Sequence, residues 1–196
     1  MSTVLSDNVV GVLPDGAQVD VTTGPEGNDL VVIKSAVTGA DLIFTGNTGV
    51  TGKGFVNGEI SVDGKAGETT IVPIETTVFK GNTITNDGAS DLQVNVLTGK
   101  FKKSTVKSEG NTDDGVSFRS GVRVVKNTMD LGDGDDSVTF GKGVKVVGKN
   151  VIKFGEGTGK DSVEIADLDD VKGTIVVRNF GKGDSIEVNG KSYNFQ

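Results

Sequence analysis

The residues with the greatest chemical potential are carboxylates set in glycine-rich loops. The chain reads Gly132-Asp133-Gly134-Asp135-Asp136-Ser137-Val138, Gly157-Thr158-Gly159-Lys160-Asp161-Ser162-Val163 and Gly181-Lys182-Gly183-Asp184-Ser185-Ile186. Looser copies are Gly110-Asn111-Thr112-Asp113-Asp114-Gly115-Val116 and Gly24-Pro25-Glu26-Gly27-Asn28-Asp29-Leu30. Glycine lets carbonyl oxygens turn into a tight loop, and aspartate adds a hard anionic oxygen. Loops stacked on one another could supply the roughly six to eight oxygens that calcium takes. The candidate ligand set is Asp113, Asp114, Gly132, Asp133, Gly134, Asp135, Asp136, Gly157, Gly159, Asp161, Gly183 and Asp184. The loop at 132–136 carries three carboxylates and is the centre of that set.

These loops resemble the haemolysin-type (RTX) calcium-binding nonapeptide, G-G-x-G-x-D-x-U-x. The stretch Arg178-Asn179-Phe180-Gly181-Lys182-Gly183-Asp184-Ser185-Ile186, followed by Gly190-Lys191-Ser192-Tyr193, also resembles the end of RTX-type secreted proteins. The resemblance implies a parallel β-helix, Ca2+ held between stacked loops, and export through the C-terminus. This chain departs from that pattern. It has one loop per coil of 22 residues or more, lacks the leading double glycine, and sets Lys160 and Lys182 just before the key aspartates. The other reading is that these are plain turns in which Asp bonds its own turn backbone. Both readings stand at the level of sequence.

No cysteine and no histidine is present. That removes disulfides, Cys/His zinc sites, cysteine nucleophiles and the Ser-His-Asp triad together. Catalysis would have to rest on carboxylates, and Asp167, Asp169 and Asp170 share one short loop. A polysaccharide-acting β-helix enzyme uses such clusters. Against it, no coil carries a long insertion to wall a groove, and aromatics for sugar stacking are few: nine Phe, one Tyr and no Trp. The expectation is a protein that is not an enzyme. Arg123 and Lys145 lie 22 residues apart on one outward face, either a basic strip or a solvated surface.

The elements that must position these loops come from a repeat. Val72-Pro73-Ile74, Val94-Asn95-Val96, Val116-Ser117-Phe118, Val138-Thr139-Phe140, Val163-Glu164-Ile165 and Ile186-Glu187-Val188 recur at steps of 22, 22, 22, 25 and 23. A second ladder reads Ile84, Val106, Met129, Ile152 and Ile175. Two positions before each stands Asn82, Ser104, Asn127, Asn150 or Gly173, read as corners needing φ > 0. Residues 137–161 give a model coil of three short strands and three turns. Alternation turns Val138, Phe140, Val144, Val146, Ile152 and Phe154 inward. The fold class expected is all-β, a right-handed parallel β-helix with three short strands per coil.

The N-terminal part is less regular. Asn28–Ile33, Ala40–Phe44 and Val56–Val62 read as strands, Thr45–Gly54 as a turn region, and no helix is expected. The division expected is 1–68, an irregular cap or set of terminal coils and a possible attachment region, and 69–196, a regular solenoid. The net charge of −7 disfavours nucleic acid, and no apolar run reaches the length of a membrane helix. Met1–Val10 reads as no signal peptide. The function expected is a structural solenoid, a surface or decoration component of a virion or of a cell-envelope layer. Its partners would be proteins of that assembly, or further copies of itself. A secreted calcium-binding protein and a polysaccharide-acting enzyme are the alternatives.

Overall fold

A computed structural model of the chain describes residues 3–6, 9–11, 15–22, 29–33 and 37–195. The loop at Gly24–Asn28 lies outside them. The described chain is all-β, a parallel β-solenoid of about six turns. Its strands fall into three walls. The first wall holds Glu59–Val62, Thr83–Asn86, Thr105–Ser108, Thr128–Asp130, Lys149–Lys153 and Thr174–Arg178, paired in that order. The second holds Asp91–Val96, Gly115–Phe118, Ser137–Phe140, Ser162–Ile165 and Ser185–Val188, stacked on the first half of Thr69–Lys80. The third holds Lys100–Lys102, Arg123–Val125 and Lys145–Val147, stacked on the second half of that strand. Parallel neighbours lie about 4.8 Å apart, so one coil repeats almost unchanged on the next.

The first apolar ladder stacks as its spacing predicts, with Val72, Val94, Val116, Val138, Val163 and Ile186 in register. The second stacks Ile84, Val106, Met129 and Ile152, but its last member is Val177, and Ile175 pairs with Asn150 instead. The reason is the corner. Crossing from third to first wall takes six residues in the last two coils, Val146 to Ile152 and Val171 to Val177. Lower down, Phe101 to Val106 and Val124 to Met129 take five. A longer corner moves the whole following strand along, and register is set by which residues reach the core.

Two N-terminal expectations are corrected. Residues 45–54 are not simply a turn region, because Thr48–Val56 is one strand that passes from second to third wall, with Gly52 at φ 136 where it bends. Residues 56–62 are two strands, parted at Asn57, whose φ is 51. Both parallel sheets run on through position 68 without a break. The one helical piece described is a single 3₁₀ turn, Leu168–Asp170.

One core runs along the axis, from Val31 to Ile165. Val138, Phe140, Val144, Val146, Ile152 and Phe154 are all buried in it, as alternation predicts. The corner between second and third walls holds one Phe per coil, but the Phe changes walls. Phe55, Phe79 and Phe101 stack on the third wall, with centroids 5.8 and 5.0 Å apart, while Ile74 and Val96 end the second. Above them Phe118 and Phe140 end the second wall, 5.3 Å apart, and Val124 and Val146 take the third. The Phe101–Phe118 contact, at 5.6 Å and edge-to-face, is where the column crosses over. Trading Phe and Val between facing positions keeps the summed volume constant, as close packing requires. The C-terminal coil is closed by a hairpin. Lys191–Asn194 runs antiparallel to Ser185–Val188 through Asn189-Gly190, both at positive φ, as a two-residue hairpin turn demands.

Candidate functional site

The acidic loops enter the second wall, and the strand pairing stacks their aspartates in two rows. Asp114, Asp136, Asp161 and Asp184 occupy the same inward position, above Thr70 and Leu92, and each is at most 7% exposed. Each carboxylate Oδ1 reaches down to a backbone N–H of the coil below. Leu92 N donates to Asp114 at 2.6 Å, Asp114 N to Asp136 at 2.9 Å, Asp136 N to Asp161 at 3.1 Å, and Asp161 N to Asp184 at 3.0 Å. Asp91, Asp113 and Asp135 form an outer row that reaches the other way. Asp113 N donates to Asp91 Oδ1 at 3.1 Å, Asp135 N to Asp113 at 2.8 Å, and Lys160 N to Asp135 at 2.8 Å. These N–H groups sit where the chain turns into the strand, and burial without an acceptor is costly. The two rows act as opposed struts on the same stack of peptides.

The inner row is electrostatically costly. Burial pushes the Asp136 carboxyl up to about 8; the Asp114 N–H opposes this and the charges of Asp114, Asp161 and Asp113 add to it. Burial likewise raises Asp114 to about 6 against the hydrogen bonds it accepts, and Asp161 to about 6 against the bond from Asp136 N. Asp114 is relieved by two hydroxyls, those of Ser108 and Thr112, which have no counterpart at Asp136. Thr112 Oγ1 donates to Asp114 Oδ2 at 3.1 Å, but the same position one coil up is Gly134. Asp136 Oδ2 is buried without a partner. Gly134 has φ 134, and a Cβ there would stand 2.2 Å from Thr112 O. The backbone of the loop therefore excludes one of the two hydroxyl residues that relieve the acid in the coil below.

The residues predicted as ligands are brought to one edge of the coil, but not to one centre. Gly132, with φ 81, packs its backbone on Ser108, and Gly159 lies over the Gly134 carbonyl. Asp133 accepts from Gly157 N at 2.9 Å and bridges to Asn111. Gly183 carries φ 100 at the top of the outer row, and Asp184 also accepts a short bond from Gly181 N. Among the described residues no group of three or more carboxylates is placed to hold a metal ion. One oxygen of each inner aspartate turns to an N–H group of the neighbouring coil rather than toward the other carboxylates. In the other acidic cluster, Asp167 Oδ1 caps the 3₁₀ turn by accepting from Asp169 N at 3.0 Å.

A third row lies at the corner into the first wall. Asn82, Ser104, Asn127 and Asn150 are buried, and each accepts the N–H of the coil below: Gly58 to Asn82, Asn82 to Ser104, Ser104 to Asn127, and Asn127 to Asn150, at 2.9 to 3.2 Å. Asn82 and Asn127 also donate through Nδ2 to the carbonyls of Phe55 and Phe101, at 2.7 and 3.0 Å. Sequence reasoning placed φ > 0 on these residues. Positive φ falls instead on the residue just before each in the lower coils, Gly81, Lys103 and Lys126, and on Gly148 two before Asn150. The asparagines are struts rather than bends. Asp91 was also missed, although its spacing of 22 from Asp113 and of 22 again to Asp135 carries the signal. No family model, no curated protein and no solved structure matches this chain.

Proposed function

We propose that this chain is a non-enzymatic structural module, a rigid solenoid that serves as a surface or decoration component of a virion or of a cell-envelope layer. One observation carries the reading. The polar side chains that stacking collects, in the two aspartate rows and the asparagine row, are bonded to backbone groups of adjacent coils. Side chains committed to holding the coil are poorly placed to hold a substrate. Chemistry by histidine or cysteine is absent from the sequence altogether. What the chain presents instead is a stiff body with a repeating surface, suited to protein partners in a larger assembly and not to nucleic acid.

The test is the native location of the chain. Antibody labelling of intact particles and envelopes from the source cell is expected to place it at their surface. Recovery only as a free cytoplasmic protein, or turnover of any member of a polysaccharide panel, would overturn the proposal. A cation in the inner row is the second reading, favoured by the partnerless Oδ2 of Asp136. Saturating calcium that raises the melting temperature of the wild type, but not of Asp136→Asn, would establish it.

A further inference from the structure

Two outward rows of charge run up the coil in step. At the entry to the second wall the row reads Asp91, Asp113, Asp135, Lys160. On the third wall it reads Lys100, Arg123, Lys145, Asp170, the last placed by the bridge between Val146 and Val171. Both rows rise about 4.8 Å per rung, and both reverse sign at the same coil. Along the chain the partners are Asp91 and Lys100, Asp113 and Arg123, Asp135 and Lys145, Lys160 and Asp170. They do not neutralise one another within a molecule. Five residues of second wall, Leu92–Val96, lie between the rows, a span of roughly 17 Å. Among the described residues the ion pairs are Lys107 with Glu109 and Lys153 with Asp130, and neither belongs to either row.

The third wall is strongly cationic for an acidic chain. Lys80, Lys102, Lys103 and Lys126 flank the row. The Lys102 ammonium is lowered by desolvation and then by Lys103, Lys100, Lys80 and Lys126. Lys103 and Lys126 hold φ of 49 and 56, at a corner where other coils use Asn57, Gly81 and Gly148. Lysine is an uncommon occupant of that backbone region, so local conformation does not explain its presence there.

We infer that the third wall of one molecule docks against the second-wall entry of another copy of this chain, parallel and in register. That arrangement makes every one of the four rungs an opposite-charge pair. An antiparallel copy would set Asp91 against Asp170 and Lys160 against Lys100. Sliding a parallel copy by one rung sets Asp135 against Asp170, or Lys160 against Lys145. Opposite charges on facing rows attract and like charges repel, so the pattern selects orientation as well as partner. The contact joins two different patches, so it propagates head-to-tail among molecules that all point the same way, into a closed ring or an open row according to the angle between the two walls. A free polyanion matches this surface less well, because Asp170 interrupts it and the whole chain carries −7. The inference rests on the structural reading above in supplying its purpose, but the contact is tested separately.

Lys160 and Asp170 allow a clean test, since no hydrogen bond or ion pair of the structure is made by either side chain among the described residues. Sedimentation velocity of the whole chain, at low salt and high protein concentration, is expected to show self-association that weakens about tenfold or more as salt screens the charges. Lys160→Asp and Asp170→Lys are each expected to weaken it about tenfold, and the double variant to return to within about threefold of wild type. Circular dichroism checks that each variant keeps its fold. Because the chain has no cysteine, Lys160→Cys mixed with Asp170→Cys should give a disulfide-linked heterodimer on mild oxidation. A wild type that stays monomeric throughout, a double variant no better than the singles, or binding of a sulfated polysaccharide without self-association overturns the inference. A chain found on particles yet monomeric in these assays would sink the lateral contact alone.

Discussion

Raising the pH should loosen this protein, and the inner aspartate row sets by how much. Asp136 has its folded-state carboxyl at about 8 against an ordinary 3.8, and Asp114 and Asp161 are near 6. A carboxyl whose pKa is raised by folding contributes its stability below the unfolded value, and that contribution is lost as pH climbs through the folded value. The window therefore runs from about 4 to about 8. One pKa unit is worth about 1.4 kcal/mol, so Asp136 alone has a ceiling on the order of 5 kcal/mol. The members of the row share their interactions, so about half of that is a fair expectation for Asp136. Asp136→Asn keeps an Oδ1 to accept the Asp114 N–H and removes the ionisation. Urea unfolding followed by circular dichroism should show the wild type losing roughly 3–5 kcal/mol between pH 4 and pH 9. The variant should be about 1–3 kcal/mol more stable than wild type at pH 8.5 and no more stable at pH 4, where both side chains are neutral. Wild-type stability that is flat or rising from pH 5 to pH 9 would refute the argument. So would an Asn variant weaker than wild type at pH 8.5.

Three other substitutions probe the struts and the loops. Asn127→Ala removes the acceptor of Ser104 N and the donor to Phe101 O, both buried. It should cost about 2–4 kcal/mol by thermal or urea unfolding. Gly134→Ala forces a Cβ to 2.2 Å from Thr112 O at φ 134 and should cost about 2–4 kcal/mol, whereas Gly121→Ala, with φ 85 and open space around it, should cost about 1 kcal/mol in the same assay.

The geometry also explains why an acid row is kept beside an amide row. Asparagine at one corner supplies both an acceptor and a donor, so Asn127 satisfies an N–H and a carbonyl together. At the loop corner a threonine hydroxyl two residues before Asp114 donates to its second oxygen. Where the next coil narrows to Gly134 that donor disappears, and one buried oxygen is left over. A row of identical residues can thus have unequal energetics, because each member sees a different neighbour at the rung's edge.

Much of this was legible without coordinates. The Val72-to-Ile186 ladder and its steps follow from sequence alone, because strand alternation is local and a stacked coil repeats its pattern at the coil length. The same rule exposes Asp113, Asp135 and Lys160 as occupants of one position, and Asp114, Asp136 and Asp161 as occupants of the next. Tertiary structure decided what spacing cannot. Whether Ile175 or Val177 completes the second ladder depends on how many residues the corner consumes, and that is fixed by packing in the coil below. Whether Asn127 bends the chain or braces it depends on which residue takes positive φ, which here is Lys126. Whether the aspartates gather around a point or hang as struts depends on where each carboxylate oxygen finds its nearest donor. Where the corners keep a constant length, spacing alone tells which residues share a rung. The direction in which each side chain is spent is a property of the assembled coil, since the backbone N–H groups that claim it come from the turn below or the turn above.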